Sequence, residues 1–153
     1  MSEYGKVVSA NISTETGTAK KSVTKITLDE NGIVDDAHAG FKNRNVSVLS
    51  IESITAFNHK SGMNIQPGEF AENLTLKGVD LSKLKLGDQI KINEVILEVT
   101  QIGKECHGEG CAIFQKVGKC VMPTEGIFCR VLKSGSIQPG DDVRLVENNT
   151  TRE

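Results

Sequence analysis

Leu86-Gly87-Asp88-Gln89-Ile90-Lys91-Ile92-Asn93-Glu94-Val95-Ile96-Leu97-Glu98-Val99-Thr100-Gln101-Ile102 is the stretch that decides the fold. Gly87-Asp88 is a turn signal, and Gln89 to Ile92 alternates polar and apolar residues as a half-buried strand does. Asn93-Glu94 closes a hairpin into Val95 to Ile102, which reads as a buried strand. The device recurs downstream, where Pro139-Gly140-Asp141 feeds Asp142-Val143-Arg144-Leu145. Outward from it the pattern remains strand after strand. Val8, Ala10 and Ile12 share a face of Lys6 to Ile12, and short runs follow at Lys25 to Leu28 and Val46 to Leu49. Phe70, Leu74 and Leu76 alternate within Phe70 to Leu76, after a Pro67-Gly68 turn. Ile127, Cys129 and Val131 alternate within Gly126 to Leu132. One helix interrupts them: Ser50 caps it, Ile51, Ile54 and Phe57 face inward, and it stops near Gly62. Many short strands with turns between them predict a mainly β fold, a closed or partly closed barrel with one main helix and minor helical turns.

The chain has 153 residues, enough for one domain with a real core. No linker or low-complexity run divides it, so a single domain is expected over residues 4–147. Polar termini at 1–3 and 148–153 are expected to be frayed. Eighteen basic residues stand against 20 acidic ones. No basic stripe is present, which argues against nucleic acid or an anionic membrane as the main partner. Met1 to Ser9 lacks the apolar core of a signal peptide, and no run of roughly 18 apolar residues occurs. A cytoplasmic location is expected, and there four cysteines are free, catalytic or metal-bound rather than paired. Aromatic residues are scarce, five Phe and one Tyr with no Trp, so Val, Ile and Leu must build the core.

The chemistry concentrates in Gly103-Lys104-Glu105-Cys106-His107-Gly108-Glu109-Gly110-Cys111. Glycines there leave neighbouring side chains uncovered, and a thiol on such a loop can be attacked, oxidised or metallated. Lys104 and His107 favour the thiolate of Cys106, while Glu105 and Glu109 oppose it. Cys111 is placed to resolve Cys106 as a disulfide, to relay sulfur, or to act as a second metal ligand. Cys106, His107, Cys111 and Cys120 would supply four zinc ligands, but the paired Cys-x2-Cys knuckles of structural zinc sites are missing. Cys129 shares its strand face with Ile127 and Val131 and is read as core. His38 and Arg44 together suit a phosphate or another oxyanion; the plainer reading pairs Arg44 with Asp35 or Asp36. Glu72 shares a face with Phe70 and Leu74. It is expected to point inward, either lining a pocket with Asn73 or neutralised by Arg44 or Arg130.

Five segments, in order, resemble the MOSC domain, named for the C-terminal domain of molybdenum-cofactor sulfurase. They are Gly5 to Ser9; Ala37-His38-Ala39-Gly40 with Arg44 to Leu49; Pro67-Gly68-Glu69-Phe70-Ala71-Glu72-Asn73-Leu74-Thr75; Leu86-Gly87-Asp88; and Thr100 to His107. Small stand-alone members look most similar. Asp35-Asp36 stands where the family has Gly-Asp, and Arg44-Asn45-Val46 where Arg-Gln-Val is usual. The resemblance implies a strand-rich barrel and a functional cysteine at Cys106, which holds a persulfide or ligates molybdenum. It implies a molybdenum cofactor (molybdopterin) contacted by His38, Arg44, Glu72, Asn73, Lys104 and His107, with Cys111 as a further metal ligand. It implies sulfurtransferase-like chemistry with a pyridoxal-phosphate cysteine desulfurase, or with molybdenum-cofactor biosynthesis proteins or molybdoenzymes, as partner. The chain has no pyridoxal-phosphate lysine motif of its own. The alternatives are a non-catalytic molybdate- or molybdopterin-binding module, and a molybdenum-dependent reductase component acting on N-hydroxylated compounds.

Overall fold

A computed structural model describes residues 4–13, 20–34, 36, 46–70, 72–102 and 126–146. The strands are β1 (Tyr4–Ile12), β2 (Lys21–Val23), β3 (Ile26–Asp29), β4 (Gly32–Ile33), β5 (Val46–Ser50), β6 (Leu74–Lys77), β7 (Gln89–Ile92), β8 (Val95–Ile102), β9 (Ile127–Lys133), β10 (Gly135–Ile137) and β11 (Asp142–Val146). The helix α1 spans Ile51–Ser61, and a 3-10 turn covers Leu81–Lys83.

Seven strands close into a barrel in the order β11-β7-β8-β9-β5-β6-β1, with β1 pairing back onto β11. Directions around an odd-numbered ring cannot alternate throughout, so an odd number of neighbours must run parallel. Here β5 and β6 are that pair. A parallel pair needs a crossover rather than a tight turn, and α1 supplies it. Ser50 Oγ accepts from Ser53 N at 3.1 Å to cap the helix. Gly62 ends it with φ 75°, a left-handed conformation that glycine adopts without strain. The expected hairpin at Asn93-Glu94 joins β7 to β8, with Ile92 opposite Val95.

The barrel interior is aliphatic, as the composition requires: Val46, Val48, Leu74, Leu76, Ile90, Ile92 and Leu97 are all fully buried. A small sheet in the order β10-β3-β4 adds Ile26, Leu28, Ile33 and Ile137 to the same core. A second cluster lies between α1 and the outside of the barrel, where Ile54 and Phe57 pack with Leu49, Phe70 and Phe128. The rings of Phe57 and Phe70 meet edge to face, with centroids 5.2 Å apart. Each such side chain contributes roughly 1.5–3 kcal/mol on burial. Strand β5 and the start of β9, Ile127 to Cys129, are therefore covered on both faces, and β5 is buried at every residue.

Two expectations change. Val8 does not share the core face with Ala10 and Ile12. The β1–β6 register shifts between Val7 and Ser9, so Val7 and Ala10 enter the core instead. A bulge inserts one residue and flips the alternation beyond it. The run at Phe70 is likewise no strand. Residues 67–70 form a turn, and β6 begins only at Leu74.

Candidate functional site

A buried polar network occupies the end of the barrel where β1 finishes and β6 begins. Asn73 N donates to Ser47 O at 2.9 Å, and Asn73 Oδ1 accepts from Ser47 N at 3.0 Å and Ser47 Oγ at 3.1 Å. Asn73 Nδ2 donates to Asn11 O at 3.1 Å, and Asn11 N donates to Asn73 O at 2.7 Å. The Asn73 side chain thus splices β1 to β5 just before β6 begins. Asn11 continues the network: its Nδ2 donates to Glu72 O at 3.1 Å and to Thr75 Oγ1 at 3.2 Å, and its Oδ1 accepts from Ser22 Oγ at 3.0 Å.

Glu72 sits at the centre with no exposed surface. Its Oε2 accepts from Gly68 N at 2.8 Å and from Thr75 Oγ1 at 2.6 Å. Its Oε1 is buried and has no hydrogen-bond partner among the described residues. Burial raises the carboxyl above its ordinary range, against the smaller opposing effect of the Thr75 and Gly68 hydrogen bonds. Arg130, one of the two arginines considered as its neutraliser, instead pairs with Glu98. Burial thus favours the neutral form of Glu72.

The loop beneath Glu72 is fixed from the other side. Lys20 N donates to Gly68 O at 2.7 Å, and Gly68 holds φ 91°. A Cβ at Gly68 would lie 2.5 Å from Lys20 O, so only glycine fits there. Lys20 Nζ lies 2.9 Å from Asp36 Oδ1 with both side chains fully buried, and Ser13 N donates to the same oxygen at 3.0 Å. Asp36, Lys20, Gly68, Glu72 and Asn11 therefore form one continuous polar chain.

Topology then orders the remaining candidates. β5 and β8 are both antiparallel to β9, so they run the same way. The chain reaches the N-terminal end of β5 from residues 37–45, the segment with His38 and Arg44. Glu72 and Asn73 precede β6, which is parallel to β5, and so belong to this same end. The Cys106 segment follows the C-terminal end of β8. Beside that end, where α1 starts, an open cavity of about 370 Å3 is lined by Ser50, Ser53, Asp80, Leu81, Ile102 and Ile127. His38, Arg44, Lys104, Cys106, His107, Cys111 and Cys120 themselves lie outside the described residues. Cys129 is fully buried, and burial pushes its thiol well above the ordinary range. Among the described residues no three metal-ligating side chains gather, so Cys129 joins no metal cluster there. No helix among them is long and apolar enough to cross a membrane.

Sequence reading identified Glu72 and Asn73 but missed Asn11, Ser47, Lys20 and Asp36 as their supports. The available signal was a polar residue inside an apolar strand: Asn11 between Ala10 and Ile12, and Ser47 between Val46 and Val48.

Residues 35–144, most of the chain, match the MOSC domain model. The chain belongs to the MOSC domain family. This is a molybdenum-cofactor-related domain, and solved structures share its fold. The YuaD protein from Bacillus subtilis superimposes with a TM-score of 0.77 at 21% identity, covering 95% of this chain and 97% of that one. YiiM from Geobacillus stearothermophilus gives 0.73 at 22% identity, over 94% of this MOSC chain and 75% of its own. The uncharacterized protein YflK of Bacillus subtilis (strain 168) is 22% identical over 152 residues, 94% of this chain and 67% of YflK.

Proposed function

We propose that this MOSC domain binds a molybdenum–pterin cofactor, or delivers sulfur to one, through Cys106. The match of residues 35–144 to the MOSC domain model carries the reading. β8 leads into the Cys106 segment at the barrel end where Ser50, Ser53, Asp80 and Ile102 line the cavity of about 370 Å3, and a cavity with a few polar groups on an apolar lining suits a small cofactor. Glu72 and Asn73, buried at the other end, act in this reading as supports of the scaffold. Arg44 and His38, in the segment that enters β5, would supply the charge for the terminal phosphate. When bound, the cofactor supplies the metal and the sulfur-accepting chemistry; the protein supplies position and a thiol.

In the carrier role, the Cys106 thiolate attacks the outer sulfur of a persulfide on a pyridoxal-phosphate cysteine desulfurase. A new S–S bond forms at Cys106, the donor's S–S bond breaks, and the donor cysteine leaves as a thiolate. Lys104 and His107 favour the attacking anion. Molybdenum analysis and pterin fluorescence of protein equilibrated with molybdenum cofactor test the binding half. Retention by the native chain and loss in Cys106→Ser are expected; equal retention would remove Cys106 from binding and leave the non-catalytic binding module.

A further inference from the structure

A second polar site stands on the outer wall of the barrel. Tyr4, Arg144 and Lys91 form a cross-strand row, with Tyr4 opposite Arg144 in the β1–β11 pair and Arg144 opposite Lys91 in the β11–β7 pair. Like charges directly opposite in an antiparallel pair oppose strand pairing. The charged neighbours do not relieve this. Asp142 is tied to Lys6, Glu98 to Arg130, and Asp141 accepts from Asn93 Nδ2 at 2.6 Å and from Gln138 N at 2.8 Å. Lys91 and Arg144 have no carboxylate partner among the described residues. Arg144 is nonetheless held in place, its guanidinium 5.8 Å from the centre of the Tyr4 ring. Tyr4 itself is 61% exposed. These side chains face an open cavity of about 540 Å3 that Gly5, Val143, Asn93 and Asp142 also line; the Val143 side chain itself is buried in the core and the Asp142 carboxylate is tied to Lys6.

We propose that this row binds the phosphoryl group of a small phosphate ester. Side chains directly opposite across a ladder converge within a few ångströms, close enough for an ammonium and a guanidinium to share one tetrahedral anion. A bound dianion would turn the Lys91–Arg144 repulsion into attraction to a common centre. The cavity falls in the volume range of small-ligand sites, roughly 300–1,000 Å3, which leaves room for an organic group against the exposed Tyr4 ring. A small ligand is favoured over nucleic acid because the chain's net charge is −2. The site is independent of the Cys106 reading.

Titration of the whole protein with phenyl phosphate at low salt, followed by amide NMR shifts, tests this. Saturable shifts clustered at Tyr4, Lys91 and Arg144 are expected. Lys91→Gln and Arg144→Gln should each weaken binding about tenfold or more. Lys91→Gln should leave the melting temperature unchanged or raised, which separates lost binding from lost fold. Absent saturation, or binding unchanged in both variants, overturns the proposal. Tighter binding of a single-stranded oligonucleotide, lost in the same variants, overturns the small-ligand assignment.

Discussion

Lys20 and Asp36 form an ion pair 2.9 Å apart with neither side chain exposed, and they lock the residue before β2 to the third residue beyond β4. The pair also reaches the candidate site, because the Lys20 backbone holds Gly68 and Gly68 holds Glu72. Removing one partner of a buried pair strands the other charge. Lys20→Met should therefore cost about 3–5 kcal/mol. Lys20→Met with Asp36→Asn should recover part of this, because the stranded charge is gone. Urea denaturation measures both; a single-variant cost under about 1 kcal/mol would show that the pair does not hold this end of the barrel.

Glu72 makes stability depend on pH with a definite sign. Its pKa is raised in the folded state, so the native protein keeps a proton that the unfolded chain has released. The associated stability is fully present below the unfolded carboxylate value. It is lost as pH rises through the window between the unfolded and folded values, by at most about 1.4 kcal/mol per pH unit for one proton. Glu72→Gln mimics the neutral acid and should remove that component. Denaturation midpoints of the two proteins should converge in acid and separate in favour of the glutamine variant as pH rises. Parallel profiles would contradict a neutral buried Glu72.

Cys129 should be a silent thiol. It is fully buried in the barrel core, and burial disfavours its reactive anion. Thiol labelling of the native protein should reach Cys106 first, with Cys129 slower by on the order of a thousandfold or more, because it must wait for unfolding. Peptide mapping of the labelled protein reads this directly. Equal labelling of both cysteines without denaturant would remove the distinction between a functional and a structural thiol.

In the proposed function Arg44 has the anion as its partner. Arg44→Ala should leave the circular dichroism spectrum intact and weaken molybdate or pterin-phosphate binding by roughly one to two decades, the worth of a charge-assisted contact. Unchanged affinity would return Arg44 to a structural role beside the acidic residues at 35 and 36.

The barrel was legible because its signals are local. Gly87-Asp88 and Asn93-Glu94 announce turns, Ser50 and Gly62 bracket the helix, and alternation marks β7, β9 and β11. What alternation could not reveal was a break in itself. The bulge after Val7 arises from pairing with β6, some seventy positions downstream, and nothing in Lys6 to Ile12 encodes that partner. The same limit hid the polar network. Glu72 stood out as a carboxylate amid apolar neighbours, but Asn11, Ser47, Lys20 and Asp36 become its supports only when distant segments meet. Arg130 shows the converse error: an arginine near in pattern proved to belong to a surface pair with Glu98.

The central claim is that Cys106 handles sulfur. Mass spectrometry of the native protein after incubation with a cysteine desulfurase, pyridoxal phosphate and cysteine tests it most directly. The account predicts a gain of one sulfur atom, located on the Cys106 peptide, reversed by a thiol reductant and absent from a folded Cys106→Ala variant. An unmodified protein, or an adduct confined to Cys120, would contradict it.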